Sequence, residues 1–124
     1  DRILAWVKDL GDRMTPLVLA GDFNASQHSD ELRALVGLAP PLVEKMVFYD
    51  AMSVAGDADA STFDPRNPFA AAARFPPLRF DHVFSGWPKP HAIGHPAHAE
   101  LIGHVPVDGV YGSDHYGVMA DPHY

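Results

Sequence analysis

The run Leu17–Ala20, "LVLA", constrains this chain most, because it is wholly apolar and is closed off by Pro16 on one side and Gly21-Asp22 on the other. An apolar stretch this short, bounded by chain-breaking residues, predicts a strand buried on both faces. The segment before it is patterned differently. Ile3, Trp6, Val7 and Leu10 recur at helical spacing, and Arg2, Lys8, Asp9, Asp12 and Arg13 fill the opposite side, which predicts an amphipathic helix over 1–13. After the strand, "GDFNAS" reads as a loop. Ser29 is placed to cap a second helix, with Asp30 and Glu31 at the positive end of its dipole, Leu32, Leu35 and Val36 as its inward stripe, and Gly37 as its stop.

Beyond "LAPPL", a breaker, "KMVFYDAM" reads as a short strand or as the end of a helix leading into one. The Asp-, Ala- and Pro-rich stretch Gly56–Pro77 lacks periodicity and predicts a long surface loop. "LRFDHVF" then alternates: Leu78, Phe80, His82 and Phe84 face one way, and Arg79, Asp81 and Val83 the other. "GWPKPHAIGHP" is a Pro/Gly loop. "HAELIGHVPV" predicts a strand with Ala99, Leu101, Gly103 and Val105 on one face, and "YGVMA" a terminal strand after the loop "DGVYGSDH". Trp6 reads as core and Trp87 as loop packing. These elements predict one α/β (α+β) domain, a mixed sheet with helices on one face, whose other face requires a cover. No apolar run is long enough for a transmembrane segment.

With 16 acidic against 9 basic residues the formal charge is −7, a field that disfavours a duplex polyanion and shifts expectation toward a small phosphoester. The absence of cysteine excludes disulfides, thiolate metal sites and a Cys nucleophile.

Three acidic positions stand at strand ends or within strands: Asp22 with Asn24 in "GDFN", Asp81 in "RFDHVF", and Asp114 with His115 in "SDHYGV". Singly, each has an ordinary account. "GD" after a strand serves as a turn or helix-entry device, Asp81 pairs with nearby Arg79 or is an exposed strand residue, and "SDH" makes an Asx-type turn. His91, His95, His98 and His104 cluster in sequence, but Pro96 interrupts any helix that would stack them, and no HExxH pattern accompanies them. They read as a solvated loop running into a strand, and His28 and His82 as structural.

Taken together and in order, "GDFN", "RFDHVF" and "SDHYGV" resemble the endonuclease/exonuclease/phosphatase superfamily, and "STFDP" (Ser61–Pro65) looks like the Thr-aromatic segment many members carry. The resemblance covers the C-terminal half of that fold, one half of a four-layer α/β-β/α sandwich. It implies that residues 1–124 form this half, with the N-terminal half absent.

The activity so implied is divalent-metal-dependent phosphoester hydrolysis by in-line attack of water, the reaction of phosphodiesterases, nucleases and phosphatases. In this reading Asp22 is the base or the orienting group for the water, and Asn24 holds the water or a phosphate oxygen. His115 contacts the phosphate, Asp81 orients His115, and Asp114 binds Mg²⁺ or Mn²⁺. Asn67 and Arg79 are plausible neighbours of the site. The substrate class expected is a small-molecule or lipid phosphoester, slightly ahead of nucleic acid. The missing half, or a second copy, is expected to cover the inner sheet face, and the chain alone to be inactive. The alternative is a non-catalytic binding or assembly module that retains the half-fold. The alternatives separate on whether Asp22, Asn24, Asp114 and His115 converge on one crevice, with Asp81 in reach of His115.

Overall fold

A computed structural model of the protein describes residues 2–10, 16–86 and 90–123. The elements run α1 (Arg2–Leu10), β1 (Val18–Asp22), α2 (Asp30–Leu35), β2 (Phe48–Asp50), α3 (Ala51–Ala55), β3 (Asp81–Gly86), β4 (Pro96–Ile102) and β5 (Gly117–Pro122). β1, β3 and β2 form an antiparallel sheet in that order, and β4 and β5 form a second antiparallel sheet. The α+β class is as expected, although the described strand pairs are antiparallel where a mixed sheet was predicted. None of the described helices is long and apolar enough to cross a membrane.

Alternation along β3 divides the interior. His82 and Phe84 stack at 5.0 Å on the side of α1 and α2, where Leu4, Val7, Leu32, Leu35, Phe48 and Phe84 make one core. Val83, pointing the other way, joins a second core of Ala51, Met52 and Ala99, lined by Leu101, Val118 and Ala120 of the second sheet. β3 is therefore the wall shared by both cores, which a period-2 strand with apolar residues on both faces must be.

The second helix starts as its sequence dictates. Ser29 Oγ accepts from the Leu32 amide at 3.5 Å, and Asp30 and Glu31 occupy the first turn. "KMVFYDAM" resolves into β2 followed directly by α3, and Asp50 caps that helix by accepting from the Met52 amide.

Four expectations change. β1 is an edge strand rather than one buried on both faces: its pairing is with β3, and Val18 is 54% exposed. In α1 the buried residues are Leu4 and Val7, while Trp6 is 63% exposed, since it lies about 200° around the helix from Leu4. The expected surface loop Gly56–Pro77 is in part interior. Thr62, Asp64 and Asn67 are each at most 1% exposed, because Phe63 bridges Leu78 and side chains bond the local backbone. The strand expected to reach Val105 ends at Ile102, where Gly103 turns the chain at φ +71°, and leaves Val105 67% exposed. Residues 11–13 of the expected first helix, the Ile3 and Leu10 side chains, and Trp87 lie outside what is described.

Candidate functional site

The register of β1 against β3 places Asp22 opposite Asp81. Directly opposed residues of an antiparallel pair project to the same side, so two carboxylates stand together, an arrangement that is unfavourable unless a cation offsets it. His115, when protonated, can supply that charge. An isolated bridge between Phe63 and His115 brings the segment before β5 alongside, and His115 Nδ1 lies 2.7 Å from Asp81 Oδ2, with the side chains 26% and 21% exposed. Partial burial pulls the imidazole pKa down, but the Asp81 hydrogen bond and the charges of Asp81, Asp22 and Asp114 outweigh it, so the pKa stands above its ordinary value.

The geometry of this pair is set by buried polar groups. Thr62, 0% exposed, accepts at Oγ1 from the amides of Phe80 (3.0 Å) and Asp81 (3.1 Å), while its carbonyl accepts from the Tyr116 amide at 2.7 Å. One threonine thus ties the backbone of Asp81 to that of the residue after His115. Asn67 Nδ2 donates to the Ser113 carbonyl at 2.8 Å and so anchors the "SDH" turn, within which the His115 amide donates to Ser113 Oγ. The Phe63 and Phe80 rings flank the His115 imidazole with centroids at 5.0 and 6.2 Å.

Asp22, Asp81 and His115 are therefore brought together, and Asp114, exposed on the adjoining turn, lies near enough for its charge to act on His115. Asn24 sits at the edge of this group. At φ +49° its amide donates to Asp22 Oδ1 at 2.8 Å, an Asx turn that orients the carboxylate, and its side chain lines a groove with Phe23 and Phe80. Among the described residues, no group of three or more His, Asp or Glu side chains is arranged to hold a metal ion.

Arg79 takes no part in the site and does not pair with Asp81. It is 0% exposed, with Nη2 2.6 Å from Asp50 Oδ2 and Nη1 donating to the Ala58 carbonyl at 2.8 Å. Burial pushes the Asp50 carboxyl up, but His82, Arg79 and Ser53 outweigh it and hold its pKa below the usual range. Thr62 and Asn67 carry more of the site's geometry than their local sequence advertises. The signal for Thr62 was the "STFDP" segment, and Asn67 had none beyond proximity.

A family model described as the Endonuclease/Exonuclease/phosphatase family matches residues 1–115, a span that runs from α1 through His115. Among curated proteins and among solved structures, none matches the chain.

Proposed function

The chain belongs to the endonuclease/exonuclease/phosphatase family, and from that premise we propose that Asp22, Asn24, Asp81, Asp114 and His115 form one wall of a phosphoester-hydrolysing site. The observation that carries the reading is the 2.7 Å contact of His115 Nδ1 with Asp81, set directly across the strand register from Asp22. With Nδ1 held by Asp81, which favours the protonated ring, His115 in its imidazolium form donates from Nε2–H to a non-bridging phosphate oxygen. Asp22, exposed and oriented by its Asx turn with Asn24, takes a proton from the attacking water. The water oxygen bonds to phosphorus as the bond to the leaving oxygen breaks, and the leaving group departs with that electron pair as an oxyanion that takes its proton from solvent.

A divalent cation, Mg²⁺ or Mn²⁺, belongs to the same proposal, with Asp114 as a ligand. The side chains described do not complete a shell for either ion, which demands near-octahedral oxygen coordination. The short donor set among the described residues and the exposed edge of β1 support a second wall, provided by residues outside this chain or by a second copy. The acidic balance supports a small-molecule or lipid phosphoester ahead of duplex nucleic acid.

Asp22→Asn in a protein with both walls present is expected to lower hydrolysis of bis-p-nitrophenyl phosphate by about 100-fold or more while leaving the circular dichroism spectrum unchanged. Full turnover in that variant sinks the assignment, and turnover that persists in EDTA removes the cation from it. Cation-dependent turnover by this chain alone, lost on Asp22→Ala, leaves the chemistry standing and removes the second wall. The lack of a three-donor metal group among the described residues favours a second reading, a non-catalytic module that binds phosphoesters without cleaving them. Phosphate binding that depends on His115, with no hydrolysis in any assembly, is its signature.

A further inference from the structure

A cavity of about 340 Å³ lies among α2, β2, α3 and β3, on the side of β3 that carries His82 and Phe84. Alternation sends Asp81 to the other side of the strand, and Asp22, Asn24, Asp81, Asp114 and His115 do not line the cavity. Buried residues make its floor: the apolar side chains of Leu32, Phe48 and Phe84, with His82 and Asp50 among them. Exposed residues, Val54 and Asp59 among them, stand at its mouth.

His82 is 1% exposed, and only one of its ring nitrogens is served. Nε2 lies 3.0 Å from the Arg79 carbonyl oxygen, which can only accept, so Nε2 carries the ring proton. In the neutral ring Nδ1 is then an acceptor, and no hydrogen-bond partner meets it among the described residues. Asp50 Oδ2, 3.7 Å away, is out of hydrogen-bond range and is an acceptor itself. Gln27, which also lines the cavity, holds a second buried acceptor without a partner, Oε1. A proton on Nδ1 would serve His82 but would set a second buried cation beside Arg79, whose guanidinium already offsets Asp50.

Two stranded acceptors above an apolar floor define a complementary ligand. Each acceptor carries a desolvation cost that an arriving donor recovers and that another acceptor would add to. Leu32, Phe48 and Phe84 offer water no partner, so an apolar body is favoured over water against them. Asp50 and Asp59 line the cavity and, among the described residues, no lysine or arginine does, which disfavours an anion, phosphate included.

We propose that this cavity binds a small neutral molecule with an apolar body and an N–H or O–H donor, the donor being received by His82 Nδ1. The site is separate from the phosphoester-hydrolysing wall and does not depend on it.

Indole is the probe, because its N–H donates and its ring offers no lone-pair acceptor, while benzofuran keeps the shape and presents an acceptor oxygen instead. Titration of the isotope-labelled chain, followed by NMR, is expected to show indole shifting the resonances of His82, Phe48 and Phe84 and binding about tenfold more tightly than benzofuran. The ¹⁵N resonance of His82 Nδ1 should move from the position of an unbonded imidazole nitrogen toward that of a hydrogen-bonded one with indole and stay in place with benzofuran. Val54 is 42% exposed at the mouth, so Val54→Trp should fill the cavity and abolish binding while the spectrum elsewhere stays native. Equal affinity for the two probes, indole binding that survives Val54→Trp, or no binding at millimolar indole each overturns the proposal. So does a ¹⁵N spectrum of the chain alone at neutral pH in which both His82 nitrogens carry protons.

Discussion

Asp81 Oδ2 and His115 Nδ1, 34 positions apart in sequence, meet at 2.7 Å and couple the middle strand of one sheet to the segment that enters the last strand of the other. The contact is expected to set the titration of His115. Its imidazole pKa lies above the ordinary value of about 6.5, and Asp81→Asn should bring it down toward that value in an NMR titration. Because the folded pKa is raised, the pair's contribution to stability is fully present below the unfolded pKa and fades as pH rises through the folded one. The stability difference between wild type and Asp81→Asn should therefore be about 1 kcal/mol in mildly acidic solution and shrink toward alkaline pH. A difference that grows with pH contradicts the pairing.

Thr62 holds that pair in register, and its removal should be felt beyond its own side chain. Thr62→Val keeps the shape but leaves the buried Phe80 and Asp81 amides without their acceptor. The expected loss is about 1–3 kcal/mol in urea unfolding, since each stranded donor carries its desolvation cost. Thr62→Ser, which restores the oxygen, should recover most of it. The His115 pKa should also fall in the valine variant, a change that loss of packing alone does not produce.

Much of this arrangement was legible before the structure. Period-2 alternation placed Asp81 on the strand face opposite His82 and Phe84, and Ser29 with its acidic first turn marked the start of α2. What escaped the local pattern depends on partners far away in sequence. The segment around Thr62 to Asn67 is buried through hydrogen bonds between side chains and backbone, which leave no hydrophobic period to read. Arg79 looked like a partner for Asp81 because they are neighbours, but its partner Asp50 is 29 positions away. The run Leu17–Ala20 is apolar enough for a central strand, yet edge position is decided by sheet order, which composition does not encode.

The Arg79–Asp50 pair yields a stability prediction independent of the site. Both side chains are nearly inaccessible, at 0% and 6%, and Asp50 also caps α3 and accepts from Ser53 Oγ at 2.8 Å. Arg79→Met leaves a buried carboxylate without its cation and should cost about 3–5 kcal/mol in urea unfolding. Adding Asp50→Asn removes that charge while retaining a capping oxygen, so the double variant should be more stable than Arg79→Met alone. A double variant less stable than the single one would mean that the charge itself is not what the arginine offsets.

Packing of α3 against β4 can be tested at Gly56, the C-cap of that helix. A Cβ built at this position would lie 2.6 Å from the Ala99 carbonyl oxygen and 3.1 Å from Met52 Sδ. The methionine end can swing aside, but the carbonyl belongs to a strand paired along its length with β5, so the helix end or the strand has to move. Gly56→Ala should therefore destabilise by about 1–3 kcal/mol, the usual cost of overpacking a closed contact. The midpoint of urea unfolding should drop with its slope unchanged, as expected when stability falls without a change in the surface exposed. Gly103→Ala is the control: nothing lies within 4 Å of a Cβ there, although its φ of +71° carries the strain of the left-handed region. A Gly56→Ala chain as stable as wild type would show that α3 and β4 do not approach as closely as this packing requires.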